Sequence, residues 1–233
     1  SMAALSAGAL GFSGKLYANS VQMTHSEFDT PTIIDQLKPM TDGIVPISDA
    51  ERKQRIAKAQ QLMDQHKIDA IFLEGTVSCY YFTGMRWGQS ERTFGIVIPV
   101  KGSISYICPK FEEDRAMELI NPAFGTEVRC WEEHESPYEV IVGVIKDKGV
   151  KHHRIGMEER VRFFIVDGVK KIATGFDIVD ATPVTAGCRM YKTKTELALM
   201  QRASDVTIEA YKAAFATIKP GMSQTELSTN ISA

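Results

Sequence analysis

Two hydrophobic rhythms take turns along the chain from Ser48 onward, one repeating every three to four residues and one made of short unbroken apolar runs. "SDAERKQRIAKAQQLMDQH" sets Ser48 as an N-cap with Glu51 three residues on, and puts Ile56, Ala59, Leu62 and Met63 on one face, which predicts a capped amphipathic helix. "IDAIFLEG" follows at once as a strand, and its lack of polar alternation implies burial on both faces, as in a sheet covered by helices. "TFGIVIPV", a Lys101-Gly102 turn and "SISYICP" predict a strand pair, "FEEDRAMELI" a helix and "TEVRCW" a strand. Ser136-Pro137-Tyr138-Glu139 is a capping box with proline at the first helical position, ahead of Ile141, Val142 and Ile145. A strand at "RIGME", a helix over "VRFFIVDGVKKIA" and a strand at "FDIVDA" follow, so the fold class is α/β, a mixed β-sheet flanked by helices.

Past Gly187 the strands stop. Thr193 with Glu196 makes a further capping box, and Leu197, Met200, Ser204, Ile208, Tyr211, Phe215 and Ile218 trace one face of a long helix. It ends at Pro220-Gly221, and Ser223 with Glu226 opens another helix toward Ala233. Two helices with a long apolar face and no strand to cover do not make a complete domain. The expected organisation is one domain over residues 48–187 and the first helices of an incomplete second domain over 188–233.

The N-terminal part has a different texture. Residues 19–47 are polar, carry Pro31, Pro39 and Pro46 and hold no sustained period, which predicts an extended arm. Residues 1–18 include "MAALSAGALGF", an apolar run too short to span a bilayer, and Ala18 suits a signal-peptidase site. This stretch reads as the remnant of a twin-arginine export signal whose Arg-Arg region is absent, making the protein exported or periplasmic, with a cytoplasmic protein as the alternative.

Composition narrows the partners rather than the fold. At 233 residues the chain needs no disulfide or metal staple, and 44% apolar with 24% charged residues is ordinary for a globular protein. A formal charge of −2 argues against nucleic acid or an anionic membrane surface as the main partner. Cys79, Cys108, Cys130 and Cys188 lie far apart without paired spacing and read as buried free thiols, although export would permit disulfides.

Familiar catalytic patterns are missing: no Gly-rich phosphate loop, Gly-x-Ser-x-Gly elbow, His-Glu-x-x-His pair or clustered Cys/His set occurs. "WEEHES" offers Glu132, Glu133, His134 and Glu135, but consecutive residues converge on a metal only with a favourable turn, and a solvated strand end is the better reading. What stands out is "YYFTGMRWGQSERTFGIVIP" at 80–99, where aromatics, a glycine and charged residues crowd ahead of a buried strand.

That segment, "RIGMEERV" at 154–161, "GCRMYKTKTELALMQRAS" at 187–204 and "KPGMSQTEL" at 219–227 together resemble the creatinase, prolidase and aminopeptidase P family, the pita-bread metallohydrolases. The resemblance runs from about Ser48 to the end and feels closest to exported Xaa-Pro peptidases. It implies a creatinase N-terminal-like domain followed by a pita-bread domain with two divalent metal ions, manganese, zinc or cobalt, held by two aspartates, a histidine and two glutamates that all fall beyond residue 233. The chain alone is then expected to bind no metal, to have no catalytic residue and to be inactive. The resemblance also implies a homodimer in which the loop after the "YFTG"-like segment closes the partner's substrate site. An arginine eight residues beyond the family's glycine contacts the substrate carboxylate in creatinase-like members, and Arg92 holds that place after Gly84. An aromatic that lines the partner's site in aminopeptidase P-like members falls at Tyr80, and Trp87 is a further candidate for packing on a proline ring. Ser90 stands where creatinase-like members have an aromatic, which speaks against creatine. The parent's substrate is then a proline-containing peptide or a small carboxylate. The alternatives are the same domain of a creatinase-like hydrolase or a lyase of the same fold, or a stand-alone binding module.

Overall fold

The computed structural model describes residues 33–233. The expected signal remnant and residues 19–32 of the expected arm lie outside the described residues. Two units are described separately, residues 41–204 and a smaller unit that combines the described residues up to Met40 with Asp205–Ala233.

In the larger unit α1 spans Asp49–His66, and Ser48 Oγ accepts the Glu51 N–H at 3.2 Å, as the spacing predicts. Strand β1 (Ala70–Glu74) is buried throughout and is followed by the short helix α2 (Val77–Thr83). Strands β2 (Gly95–Pro99) and β3 (Ser105–Pro109) form the expected pair, and a 3-10 turn at Lys110–Glu112 leads into α3 (Glu113–Leu119). Strand β4 (Glu127–Trp131), helix α4 (Pro137–Asp147), strand β5 (Arg154–Met157), helix α5 (Phe163–Ile172) and strand β6 (Asp177–Asp180) alternate as read. The sheet order is β4-β3-β2-β1-β5-β6, with β2 antiparallel to β1 and β3 and the other neighbours parallel.

Successive residues of β1 point to opposite faces. Ile71 and Leu73 join Ile56, Met63, Phe82 and Tyr106 on one side, and Ala70 and Phe72 join Ile141, Ile145, Ile165 and Val169 on the other. Helices on both faces explain why the strands show no polar alternation.

Two helices carried little sequence signal. Thr76 gives α2 no side-chain cap bond, and seven residues offer too short a window for periodicity. Helix α6 (Thr182–Arg189) starts before Gly187 and runs across the expected boundary at 187/188, burying Val184, Thr185 and Cys188 on the α1 side of the sheet. Its signal was local: Asp180 accepts the Thr182 N–H at 2.9 Å, with Pro183 in the first turn.

Asp69 ties β1 to β5. Its buried carboxylate accepts N–H bonds from Lys151, His152 and Arg154 at 2.9 to 3.1 Å, and His153 at φ 55° turns the chain around it. Burial raises its pKa, but those backbone donors outweigh burial and leave it below the usual aspartate value. A depressed folded pKa contributes stability above the unfolded value near 3.9 that is lost as pH falls through the folded value. Asp69→Asn should therefore cost about 1.5–3 kcal/mol at neutral pH, and the gap to wild type should close in acid below about pH 4. Urea titrations at several pH values check this; a gap constant down to the acid limb would contradict it.

Helix α7 (Lys194–Ala216) starts with the predicted reciprocal cap, Glu196 N–H to Thr193 Oγ1 at 3.1 Å and Thr193 N–H to Glu196 Oε2 at 2.8 Å. Its Leu197, Met200, Ile208, Tyr211 and Phe215 side chains are exposed. In the smaller unit α8 (Gln224–Ser232) carries the full capping box of Ser223 and Glu226, and Asn230 donates to Thr217 Oγ1 at 2.8 Å. Among the described residues no helix is long and apolar enough to cross a membrane.

Candidate functional site

The segment from Gly75 to Arg92 leaves β1, turns through α2 and returns as an irregular loop to β2. Gly84 closes α2 in the left-handed region at φ 76°, and a Cβ there would lie 2.6 Å from Arg52 Nε. Arg55 donates to the Tyr81 carbonyl at 2.9 Å near the same helix end and pairs with Glu196 at 3.0 Å and Glu51 at 3.2 Å. At Gly75 a Cβ would lie 2.9 Å from Trp87 Cδ1, so glycine lets the loop fold back over the end of β1.

The result is an open cleft of about 600 Å³ between the start of α2 and the loop. Tyr80, Arg86 and Gln89 line it together with Arg160, which follows β5. Thr76, Val77, Met85 and Trp87 complete the wall. Thr76 Oγ1 is buried without a hydrogen-bond partner.

The three sequence candidates part company here. Tyr80 is 38% exposed, with the Arg86 and Arg52 guanidinium groups 4.9 and 5.5 Å from its ring centroid. Trp87 is a core residue at 9% exposure: Phe94 stacks on its ring at 3.8 Å and Arg115 lies over it at 4.3 Å, so its faces are occupied and it reaches the cleft by what remains. Arg92 does not line the cleft. Its Nε donates to Glu133 at 2.7 Å, its Nη1 bonds Glu91, and it lies 4.8 Å from the Phe111 centroid. No described residue bonds its Nη2.

Arg162 was not visible from sequence and holds the loop in place. Its Nε donates to Glu74 Oε1 at 2.7 Å, Nη1 to the Ser90 carbonyl at 2.6 Å and Nη2 to the Arg92 carbonyl at 3.3 Å. Glu74 is only 1% exposed and also accepts the Arg162 N–H at 3.2 Å. One buried carboxylate thus fixes the guanidinium that fixes the loop.

Glu158, buried behind α2, takes the Ser78 hydroxyl on one oxygen and leaves Oε2 unpartnered. Burial raises its pKa, partly offset by the Ser78 bond and the positive charges of Arg189 and Arg160. Around Glu132–Glu135 the chain makes a turn in which Glu135 accepts the Glu132 N–H at 2.8 Å. Among the described residues no three His, Cys, Asp or Glu side chains converge, so they do not fit a dinuclear metal site. The four cysteines are free, and burial pushes the Cys79 and Cys108 thiols up to about 12.

Comparison with known proteins bears on the whole arrangement. The creatinase/prolidase N-terminal domain pattern matches residues 55–191. The chain is 30% identical over 94% of its length to an uncharacterized peptidase of Schizosaccharomyces pombe, covering 49% of that protein. It is 22% identical to an Xaa-Pro dipeptidase of Pyrococcus furiosus, over 77% of this chain and 47% of the relative. The crystal structure of dipeptidase PepE from Mycobacterium ulcerans shares the fold, with a TM-score of 0.71 at 20% identity over 80% of this chain and 49% of the other. The chain spans about half the length of the curated relatives it matches.

Proposed function

Since this chain belongs to the creatinase/prolidase N-terminal domain family, we propose that it is the non-catalytic N-terminal domain of a metal-dependent Xaa-Pro peptidase of prolidase or aminopeptidase P type. In this reading residues 188–233 open a pita-bread domain, the two metal ions sit in the rest of that domain, and the longer protein is an exported homodimer. The exposed face of α7 suits packing against the remaining catalytic domain.

The observation that carries the reading is the built loop from Gly84 to Arg92. It is capped at α2, tethered through Arg162 to buried Glu74, and presents Arg86, Gln89, Ser90 and Glu91 to solvent. A loop that merely joined a helix to a strand would need no buried ion pair to hold it. Its chemistry supports closing the substrate site of a second subunit, with Tyr80, Trp87 and Arg92 at the rim. The Nη2 of Arg92 suits a substrate carboxylate, which a guanidinium holds through more than one hydrogen bond.

The longer protein should hydrolyse Gly-Pro or a longer Xaa-Pro peptide, lose activity to a chelator and recover it with manganese, zinc or cobalt. Turnover of creatine, with or without added metal, in the absence of turnover of Xaa-Pro peptides would favour the creatinase-like alternative and overturn the peptidase reading.

A further inference from the structure

Two guanidinium groups flank one aromatic ring and a third lines the cleft beside it, with no carboxylate salt-bridged to any of them. Arg52 and Arg86 flank the Tyr80 ring, and Arg160 lines the cleft that Tyr80 opens onto. None of the ion pairs between described residues includes Arg52, Arg86 or Arg160, and Arg52 Nη1 is buried without a partner. The other arginines of this region are treated differently, since Arg92 and Arg162 each hold a carboxylate.

Arg160 acts on the Glu158 carboxylate, but burial raises the pKa of that group and weakens the compensation. Cations that lack a salt-bridged carboxylate repel one another, and low-dielectric walls focus their field into a cleft. An anion entering there relieves that repulsion. Two features of the wall narrow its identity: Thr76 Oγ1 and the Gln89 amide add hydrogen-bonding capacity, while the half-exposed Val77 side chain, backed by Met85 and the edge of Trp87, presents apolar surface. A compact inorganic anion would use the first set and waste the second. A free amine on the ligand would meet the same positive field and be disfavoured.

We propose that this cleft binds a small carboxylate with an apolar body and no positive charge, its carboxylate held by Arg86 and Arg160 and its body laid along Val77 and against the edge of Trp87. Because Tyr80 and Trp87 belong to the proposed rim, the inference rests in part on that reading, and it adds a ligand for the cleft itself, distinct from the Xaa-Pro substrate assigned to Arg92, whose free amine the cleft disfavours. The binding test uses the 233-residue chain and no catalytic domain. A cleft that fails to bind and a longer protein that fails to cleave Xaa-Pro peptides are therefore separate results.

The probe is N-acetyl-leucine, titrated while the fluorescence of Trp87 is followed, with N-acetyl-leucinamide and inorganic phosphate in parallel. Trp131→Phe removes the other tryptophan signal. Saturable binding of the acid is expected, with the amide and phosphate each at least about tenfold weaker. Arg86→Gln and Arg160→Gln should each weaken the acid about tenfold and leave the melting temperature unchanged, since neither side chain makes an ion pair in the fold. Absence of saturable binding, equal binding of acid and amide, or phosphate binding as tightly as the acid would each overturn the proposal.

Discussion

Arg162→Ala is expected to destabilise the 233-residue chain by about 3 kcal/mol, a large share of the roughly 5–15 kcal/mol that holds a typical domain folded. The reason is Glu74 rather than Arg162. Glu74 is 1% exposed at the end of a strand buried on both faces, and removing the guanidinium leaves a desolvated carboxylate. Breaking a buried pair from one side costs about 3–5 kcal/mol, and the lower end applies because the residue 162 N–H still donates to Glu74 Oε2. Replacing both partners, as in Glu74→Leu with Arg162→Met, removes the buried charge and should recover most of the loss. The double variant still lacks the bonds to the Ser90 and Arg92 carbonyls. In the longer protein it should regain stability and remain impaired in activity. Urea unfolding of wild type, single and double variants checks the first part. An unchanged midpoint for Arg162→Ala would show that the pair contributes nothing to the fold.

The second large effect concerns Arg92. If its guanidinium meets the substrate carboxylate in the partner's site, Arg92→Ala should lower kcat/KM of the longer protein on Xaa-Pro peptides about ten- to hundredfold. The melting temperature should move little, because the bonds to Glu91 and Glu133 lie in solvent, where ion pairs add little to stability. Glu133 competes with the substrate for the same guanidinium. Glu133→Gln should therefore leave kcat near wild type and, if it changes KM, lower it. Arg129→Ala, which breaks surface pairs on β4, serves as a control for loss of charge alone.

Strands and capped helices were legible in the sequence because their signals are local. Ser48 and Glu51, Thr193 and Glu196, and Ser223 and Glu226 lie three residues apart and act through backbone groups within one helical turn. The apolar run Ala70–Leu73 needed only composition to imply a sheet covered on both faces. The candidate site was legible in part. Its loop stood out by its aromatics, but what organises it acts across long separations: Glu74 with Arg162, Arg92 with Glu133, and Arg160 beside Tyr80 in one cleft. A charge in a loop has the same sequence appearance whether it is paired, buried against a ring or left uncompensated. Trp87 illustrates the reverse ambiguity, a loop aromatic that the fold draws into its core between Phe94 and Arg115.

The central claim is that this domain's loop serves the active site of another subunit, and trans-complementation measures it directly. One form of the longer protein carries Arg92→Ala, and the other carries an intact loop with a catalytic domain that has lost a metal ligand. Each alone should be nearly inactive. When the two are dissociated, mixed in equal amounts and reassembled, half the dimers are mixed, and each mixed dimer pairs one intact catalytic domain with one intact loop from its neighbour. The account predicts recovery of about a quarter of wild-type activity. Mixed dimers that form but recover no activity would mean that the loop serves its own subunit or none, and would contradict the account.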